Sequence, residues 1–374
     1  MKKVKKKAPK SEFLIAAAGA GKTTHIIKDA LKQNVEEQIL ITTFTLENEK
    51  EIKQKFLEIN QAIPTNITIQ TWWSFLIQHG VKPYLSELTE NDINGLKLVN
   101  NQSGMKFKSR GRSFYFGEDD GDKFYFSPSR QIYSDKIAKF VFNCDKKTDG
   151  AVVDRIRNIF SHIYIDETQD LAGYDLEVIK LIAKKRKMTL VGDPRQVTVQ
   201  THFSKKNKKY TNGDIESYFT DKMKSLCNID KETLNASHRC NKALCDFSST
   251  LFPQFPKVTS KNKEKTGHDG VFIVASKDVE QYLETFTPVQ LRYSITASVD
   301  DTLETYNFGA SKGLTFNRTI IYPTQSIKKH LANKKLLEGL TLCKFYVALT
   351  RARYSTAIIW DTDNMPKGCV AYTP

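Results

Sequence analysis

Between an apolar stretch and an amphipathic one, the chain reads Ala16-Ala17-Ala18-Gly19-Ala20-Gly21-Lys22-Thr23. Residues this small let successive backbone N–H groups turn inward around phosphate oxygens. A lysine in this place neutralises the outer phosphates, and the hydroxyl after it can hold a divalent cation. Ala18, Gly19, Ala20, Gly21, Lys22, Thr23 and Thr24 are therefore candidates to cradle ATP with Mg2+. Taken alone, the stretch is an Ala/Gly-rich turn from strand to helix, but two further elements argue against that. Asp166-Glu167-Thr168-Gln169-Asp170 follows the apolar run His162 to Ile165, and Val191-Gly192-Asp193-Pro194-Arg195-Gln196 closes another. Carboxylates at the end of a buried strand stand where α/β sheets bind ligands, so Asp166 can hold Mg2+ and Glu167 can orient or deprotonate an attacking water. Gln196 can reach the γ-phosphate and register its loss.

These groups need strands to carry them. FLIAAA (13 to 18), ILITTF (39 to 44), ITIQT (67 to 71), HIYID (162 to 166) and MTLVGD (188 to 193) are short apolar runs separated by helical stretches. Continuous β-branched runs of this length predict buried parallel strands in β-α-β units. A second set begins near Leu234, with VFIVAS (271 to 276), TIIYP (319 to 323) and TAIIW (356 to 360). Between Gly80 and Asp149 the rhythm breaks, and the aromatic runs flanking GEDDGD in SFYFGEDDGDKFYFS predict a β-hairpin. At 374 residues the chain exceeds what one core usually serves. The expected organisation is a basic disordered tail over 1–10, a first lobe over 11–79 and 150–230, an insertion over 80–149 and a second lobe over 231–374.

A formal net charge of +15 favours a polyanion such as nucleic acid, with a solvated lysine-rich surface as the plain alternative. The six cysteines are scattered and form no pair of C-x-x-C doublets, so reduced thiols, no zinc and a cytoplasmic setting are expected. No apolar run approaches the ~18 residues of a bilayer span, and no membrane partner is expected.

Taken in order, each after a strand, the phosphate loop, the DExQD box at 166–170 and the GDPxQ box at 192–196 resemble the superfamily 1A helicases, the UvrD/Rep group. The similarity extends from about Phe13 to Trp360. It implies an α/β fold of two RecA-like P-loop NTPase lobes, parallel sheets flanked by helices, with a small β-hairpin-containing insertion in the first lobe. It also implies translocation along single-stranded DNA, 3′ to 5′, driven by ATP hydrolysis at the lobe interface. Thr43-Phe44-Thr45 and Thr71-Trp72-Trp73-Ser74-Phe75 match the family's first-lobe DNA segments. Thr43, Phe44, Thr45, Thr71, Trp72, Trp73 and Phe75 would then contact the strand, the aromatics by stacking on bases. For Trp72 and Trp73 the alternative is a pair of buried aromatics at a strand end. Ser237-His238-Arg239-Cys240 resembles the family's Asn-Tyr-Arg-Ser segment, and Phe345 to Arg353 its final motif. By that resemblance Arg239 and Arg351 close on the γ-phosphate and His238 lies beside the base. Ser311-Lys312-Gly313-Leu314 matches the second-lobe DNA segment, with Ser311 and Lys312 toward DNA and Gly313 toward the nucleotide.

The chain also departs from that pattern. No glutamine precedes the phosphate loop to read adenine, Thr315 stands where Glu is common, and Val197 to Phe203 replaces an aromatic segment, so the base-stacking residue is either absent or Phe203. The spaces from Gly80 to Phe160 and Asn241 to Glu304 are too short for full accessory domains. Single-strand translocation is therefore expected over processive unwinding, with a partner protein such as a nuclease supplying grip. An RNA-directed helicase and an ATP-gated sensor within a larger complex remain open. Repair, mobile elements and defence against invading DNA are the settings in which so compact a motor is expected.

Overall fold

Every residue of Ile39–Thr43, His162–Ile165 and Met188–Gly192 is buried. Strands covered by helices on both faces require this, and it explains why their sequences run apolar without alternation. The computed structural model describes residues 10–198 and 205–374, so the N-terminal basic tail up to Pro9 and Phe203 lie outside the described residues.

The first sheet holds Ser11–Ile15 (β1), Ile39–Thr43 (β2), Ile67–Thr71 (β3), His162–Ile165 (β4), Met188–Gly192 (β5) and Cys227–Asp230 (β6), in the order β6-β1-β5-β4-β2-β3. Strand β2 runs parallel to β3 and to β4, and β4 parallel to β5. Crossovers pass through helices Lys22–Ala30 (α1) from β1 to β2, Leu46–Asn60 (α2) from β2 to β3, and Tyr174–Ala183 (α5) from β4 to β5. Between β3 and β4 lie Trp72–Leu76 (α3) and Ile137–Lys147 (α4), which packs along α5 with Phe142 edge-on to Tyr174 at 5.4 Å.

The second sheet holds Gly270–Val274 (β7), Val289–Arg292 (β8), Thr305–Asn307 (β9), Phe316–Tyr322 (β10), Ala352–Ile359 (β11) and Cys369–Ala371 (β12), in the order β9-β8-β10-β11-β7-β12. All of its neighbours pair in parallel. Helices Lys242–Thr250 (α6) and Gly339–Leu349 (α7) belong to this half, and Val274, Tyr282, Leu283, Ile320 and Ala357 form part of its core. Two RecA-like α/β lobes of parallel sheets flanked by helices are thus present. Among the described residues, 10–13, 23–192 and 205–229 form one compact unit, and 14–22, 193–198 and 230–374 the other.

The hairpin exists, but not where the aromatic runs predict it. Its strands are Met105–Ser109 and Arg112–Tyr115, joined by Arg110-Gly111. GEDDGD instead forms a 3-10 turn at Glu118–Asp120, and the second aromatic run is helical over Asp122–Tyr125. Gly121, at φ 55° and ψ −120°, supplies the break that starts this helical turn. No helix among the described residues is long and apolar enough to cross a membrane.

Candidate nucleotide and nucleic-acid site

The phosphate loop leaves the end of β1 and enters α1 at Lys22, with Gly19 at φ 74° and Gly21 at φ 79°. Those left-handed conformations need glycine and turn the backbone tightly. Residues 14–22 share their unit with the 230–374 segment, and the bonds show how. Ala17 N donates to Leu234 O at 2.8 Å, His238 N to Gly19 O at 2.9 Å and Ser237 Oγ to Ala18 O at 2.7 Å. A Cβ on Gly19 would lie 2.6 Å from Arg239 Cβ and 2.9 Å from Ser237 Oγ, so glycine is also required by close approach. Arg239 itself donates from Nη1 to Thr350 O at 3.1 Å, and His238 is exposed.

In the same unit a buried polar chain runs from Asp193 to Arg351. Asp193 Oδ1 accepts from Arg195 N at 3.1 Å and from Arg195 Nε at 2.7 Å, while Oδ2 accepts from Gln196 Nε2 at 2.7 Å. Gln196 Oε1 in turn accepts from Arg351 Nη2 at 3.0 Å. Arg351, 1% exposed, also donates to the carbonyls of Val347 at 3.0 Å, Leu314 at 3.3 Å and Ser311 at 3.5 Å. Arg195 reaches Ala16 O at 3.0 Å and lies over the rings of Phe255 and Tyr346 at 5.1 and 5.2 Å. Burial works against its charge, yet the adjacent Asp193 carboxylate holds the guanidinium above its ordinary value. The sequence reading missed Asp193 and Arg195. Their signal was an Asp placed to cap the turn Pro194–Gln196, whose first residue is proline.

Within the other unit, Thr23 Oγ1 lies 3.2 Å from Asp166 Oδ2. Asp166 Oδ1 accepts from Glu167 N at 2.8 Å, and Glu167 sits at φ 53°, a strained place for a residue with a side chain. Gln169 Nε2 donates to Glu167 Oε2. A hydroxyl beside a carboxylate is an oxygen donor set that fits Mg2+. Thr23 and Asp166 would hold the cation. Ala18 and Ala20 are buried, and Thr24 is half-buried in the first turn of α1.

The expected nucleic-acid residues divide. Trp72 is 1% exposed and its Nε1 donates to Asp175 Oδ1 at 2.8 Å, while Phe75 is 0% exposed. Both face the core of the first unit, a correction to their assignment as stacking residues. The reason is local: Thr71 caps α3, accepting from Ser74 N at 3.2 Å, and positions 72 and 75 of so short a helix share its inward side. Phe44 and Trp73 remain together as an edge-on pair at 4.8 Å. Among the described residues, Thr43 Oγ1, Gln70 Nε2 and Trp73 Nε1 are buried polar atoms with no partner. Thr45 Oγ1 accepts from Asn48 N at 3.1 Å to cap α2. Gly313 lies exposed at φ 88°, Lys312 is half-buried beside it, and buried Ser311 donates to Phe308 O at 2.8 Å.

Residues 2–201 match the AAA domain family, and residues 130–359 match the viral superfamily 1 RNA helicase core domain. No curated protein matches the chain. Among solved structures, the complex of the arterivirus nonstructural protein 10 helicase with DNA is similar at 15% identity and a TM-score of 0.45, over 95% of this chain and 62% of that one. The chain thus spans less than two thirds of the length of that helicase. Each of the two family matches covers more than half of the sequence, and the chain belongs to the superfamily 1 helicases, with their AAA-type ATPase core.

Proposed function

We propose that the protein is a nucleic-acid-stimulated ATPase that translocates along single strands, 3′ to 5′ and on DNA, as the UvrD/Rep-like motifs suggest. The Gln196–Arg351 bond carries this reading. Phosphate loops serve many chemistries, but a γ-phosphate-sensing glutamine bonded to an arginine of the final motif is what lets phosphate loss alter how the protein holds its strand. When bound, Mg2+ would neutralise charge on the phosphates. Lys22 binds the outer phosphates and Glu167, held by Gln169, takes a proton from the attacking water. Arg239 and Arg351 stabilise charge developing on the γ-phosphate.

The match to a viral RNA helicase core favours a second reading, in which the strand is RNA. Backbone grip alone does not separate the two without a group that reads the 2′-hydroxyl. ATP turnover with poly(dT) and poly(U) decides between them, and 3′- against 5′-tailed duplexes test polarity. Lys22→Ala should abolish turnover, and Glu167→Gln should hold ATP without cleaving it. Turnover that neither polymer stimulates would leave an ATP-gated sensor as the function.

A further inference from the structure

The hairpin Met105–Tyr115 shows both of its phenylalanines to solvent. Phe107 and Phe114 face each other across its strands, with rings stacked at 4.7 Å and 18°, and they are 50% and 44% exposed. Met105 beside them is 52% exposed. Opposed residues in an antiparallel pair share a face and successive pairs alternate, so Lys108 and Ser113, paired next toward the tip, lie on the other face, and Ser109 and Arg112 beyond them return to the aromatic one. The segment carries Lys106, Lys108, Arg110 and Arg112 and no acidic residue. Lys108, Arg110 and Arg112 are exposed and join no ion pair among the described residues.

A two-stranded hairpin is marginal by itself, and this one is secured at its base. Phe116 N donates to Gly104 O at 2.8 Å, and Lys106 lies 3.8 Å from Asp120 and 5.5 Å from the Phe116 ring. Those contacts hold the stem and leave the stacked phenylalanines uncovered. Two parallel, solvent-facing rings with Arg112 on the same face and Arg110 at the turn complement a ligand with flat apolar rings and regularly spaced negative charge. A protein surface offers such a combination rarely; a single-stranded nucleic acid offers it at every residue.

We infer that this hairpin is a nucleic-acid-binding surface lying outside the helicase motifs, with bases stacking on Phe107 and Phe114 and phosphates meeting Arg110 at the turn and Arg112 on the same face. It rests on the helicase reading above and adds a place where the strand is held. Fluorescence anisotropy with labelled twenty-nucleotide dT and U oligomers tests it on the full chain. F107S/F114S should bind about tenfold more weakly or worse, the change that stacking of a base on an aromatic ring carries. R110Q/R112Q should lower the salt dependence of log K by about 1.4, at roughly 0.7 per phosphate for single strands. Both variants alter exposed side chains, and circular dichroism should match the parent chain. If the parent binds an oligomer and both variants bind it as well with the same salt slope, the hairpin assignment is wrong while the helicase reading stands. If the parent binds neither oligomer, both fall. A preference for dT or for U identifies the strand, and weaker binding of that strand by the variants supports the hairpin in either case.

Discussion

Asp193→Ala removes the carboxylate from a place where three donors converge. Asp193 is fully buried, and Arg195 beside it is 2% exposed. The variant leaves a guanidinium in the core with Ala16 O and two ring faces but no counter-charge. Breaking a buried pair from one side costs ~3–5 kcal/mol. The surviving carbonyl and rings place Arg195 near the lower end. Gln196 Nε2 loses its acceptor too, for ~1–3 kcal/mol. These terms overlap, so about 4 kcal/mol is expected in total, a large part of the ~5–15 kcal/mol by which a domain is stable. With a urea slope near ~2 kcal/mol per molar, the transition of the unit containing residues 193–198 and 230–374 should move down by about 2 M, followed by circular dichroism. The decisive comparison is Asp193→Ala with Arg195→Met. If an uncompensated charge causes the loss, removing that charge as well should restore most of the stability, because apolar replacement of a buried pair is often close to neutral. A double variant as unstable as Asp193→Ala would refute the electrostatic account and leave packing or the lost turn cap as the cause.

Gly192→Ala would set a Cβ 2.5 Å from Gln169 Oε1 and 3.1 Å from Gln169 N, shifting the residue that holds Glu167; ATP turnover should fall by about tenfold or more while nucleotide still binds. Trp72→Phe removes a buried donor from Asp175 and should cost ~1–3 kcal/mol by denaturation, with oligonucleotide affinity little changed because the ring does not face solvent. Burial, with Lys187 nearby, lowers His162 to about 4, so between that value and its ordinary 6.5 the unfolded chain binds the proton and the folded chain does not. Stability should therefore fall as pH drops through that window, by up to ~3 kcal/mol at this site, and His162→Gln should flatten the urea midpoint against pH there.

The parallel strands were legible because burial on both faces writes itself as an unbroken β-branched run, and the chemistry follows because such sheets place polar residues just beyond those runs. Strands β8 and β9 were not legible. VQLR has no apolar run, and its Gln290 is fully buried, satisfied by Asp300 O at 2.7 Å, Thr305 Oγ1 at 3.0 Å and the Tyr322 hydroxyl at 2.5 Å. Only the folded neighbours make a glutamine acceptable there. The hairpin was misplaced because Arg-Gly is a less familiar turn pair than Asn-Gly, although Arg110 at φ 48° and Gly111 at φ 76° adopt the positive-φ geometry that two-residue turns favour. Trp72 and Phe75 carried a spacing consistent with one helix face, but that spacing alone does not say whether the face turns to the core or to a bound strand.

The bond between Gln196 and Arg351 also limits how strongly the proposed nucleotide switch can act. Arg351 donates to the carbonyls of Val347, Leu314 and Ser311, to Gln196 and to the Thr350 hydroxyl, so meeting a γ-phosphate means exchanging at least one of these acceptors. The Val347 carbonyl belongs to the helix that leads to the arginine, the other two to the Ser311–Leu314 loop, and releasing those two would unfix that loop. Gln196, at 3.0 Å, and the Thr350 hydroxyl, at 3.4 Å, are acceptors on the same Nη2 whose loss leaves the loop in place, and Gln196 makes the shorter contact. A hydrogen bond to a charged group contributes ~1.5–3 kcal/mol, and a ligand shifts an equilibrium only by its differential interaction with the two states. Exchange of this single contact therefore changes the balance by a factor of about 10 to 100. Such a factor suffices to alternate a grip on a strand of moderate affinity, and it falls short of what would release a tightly held one.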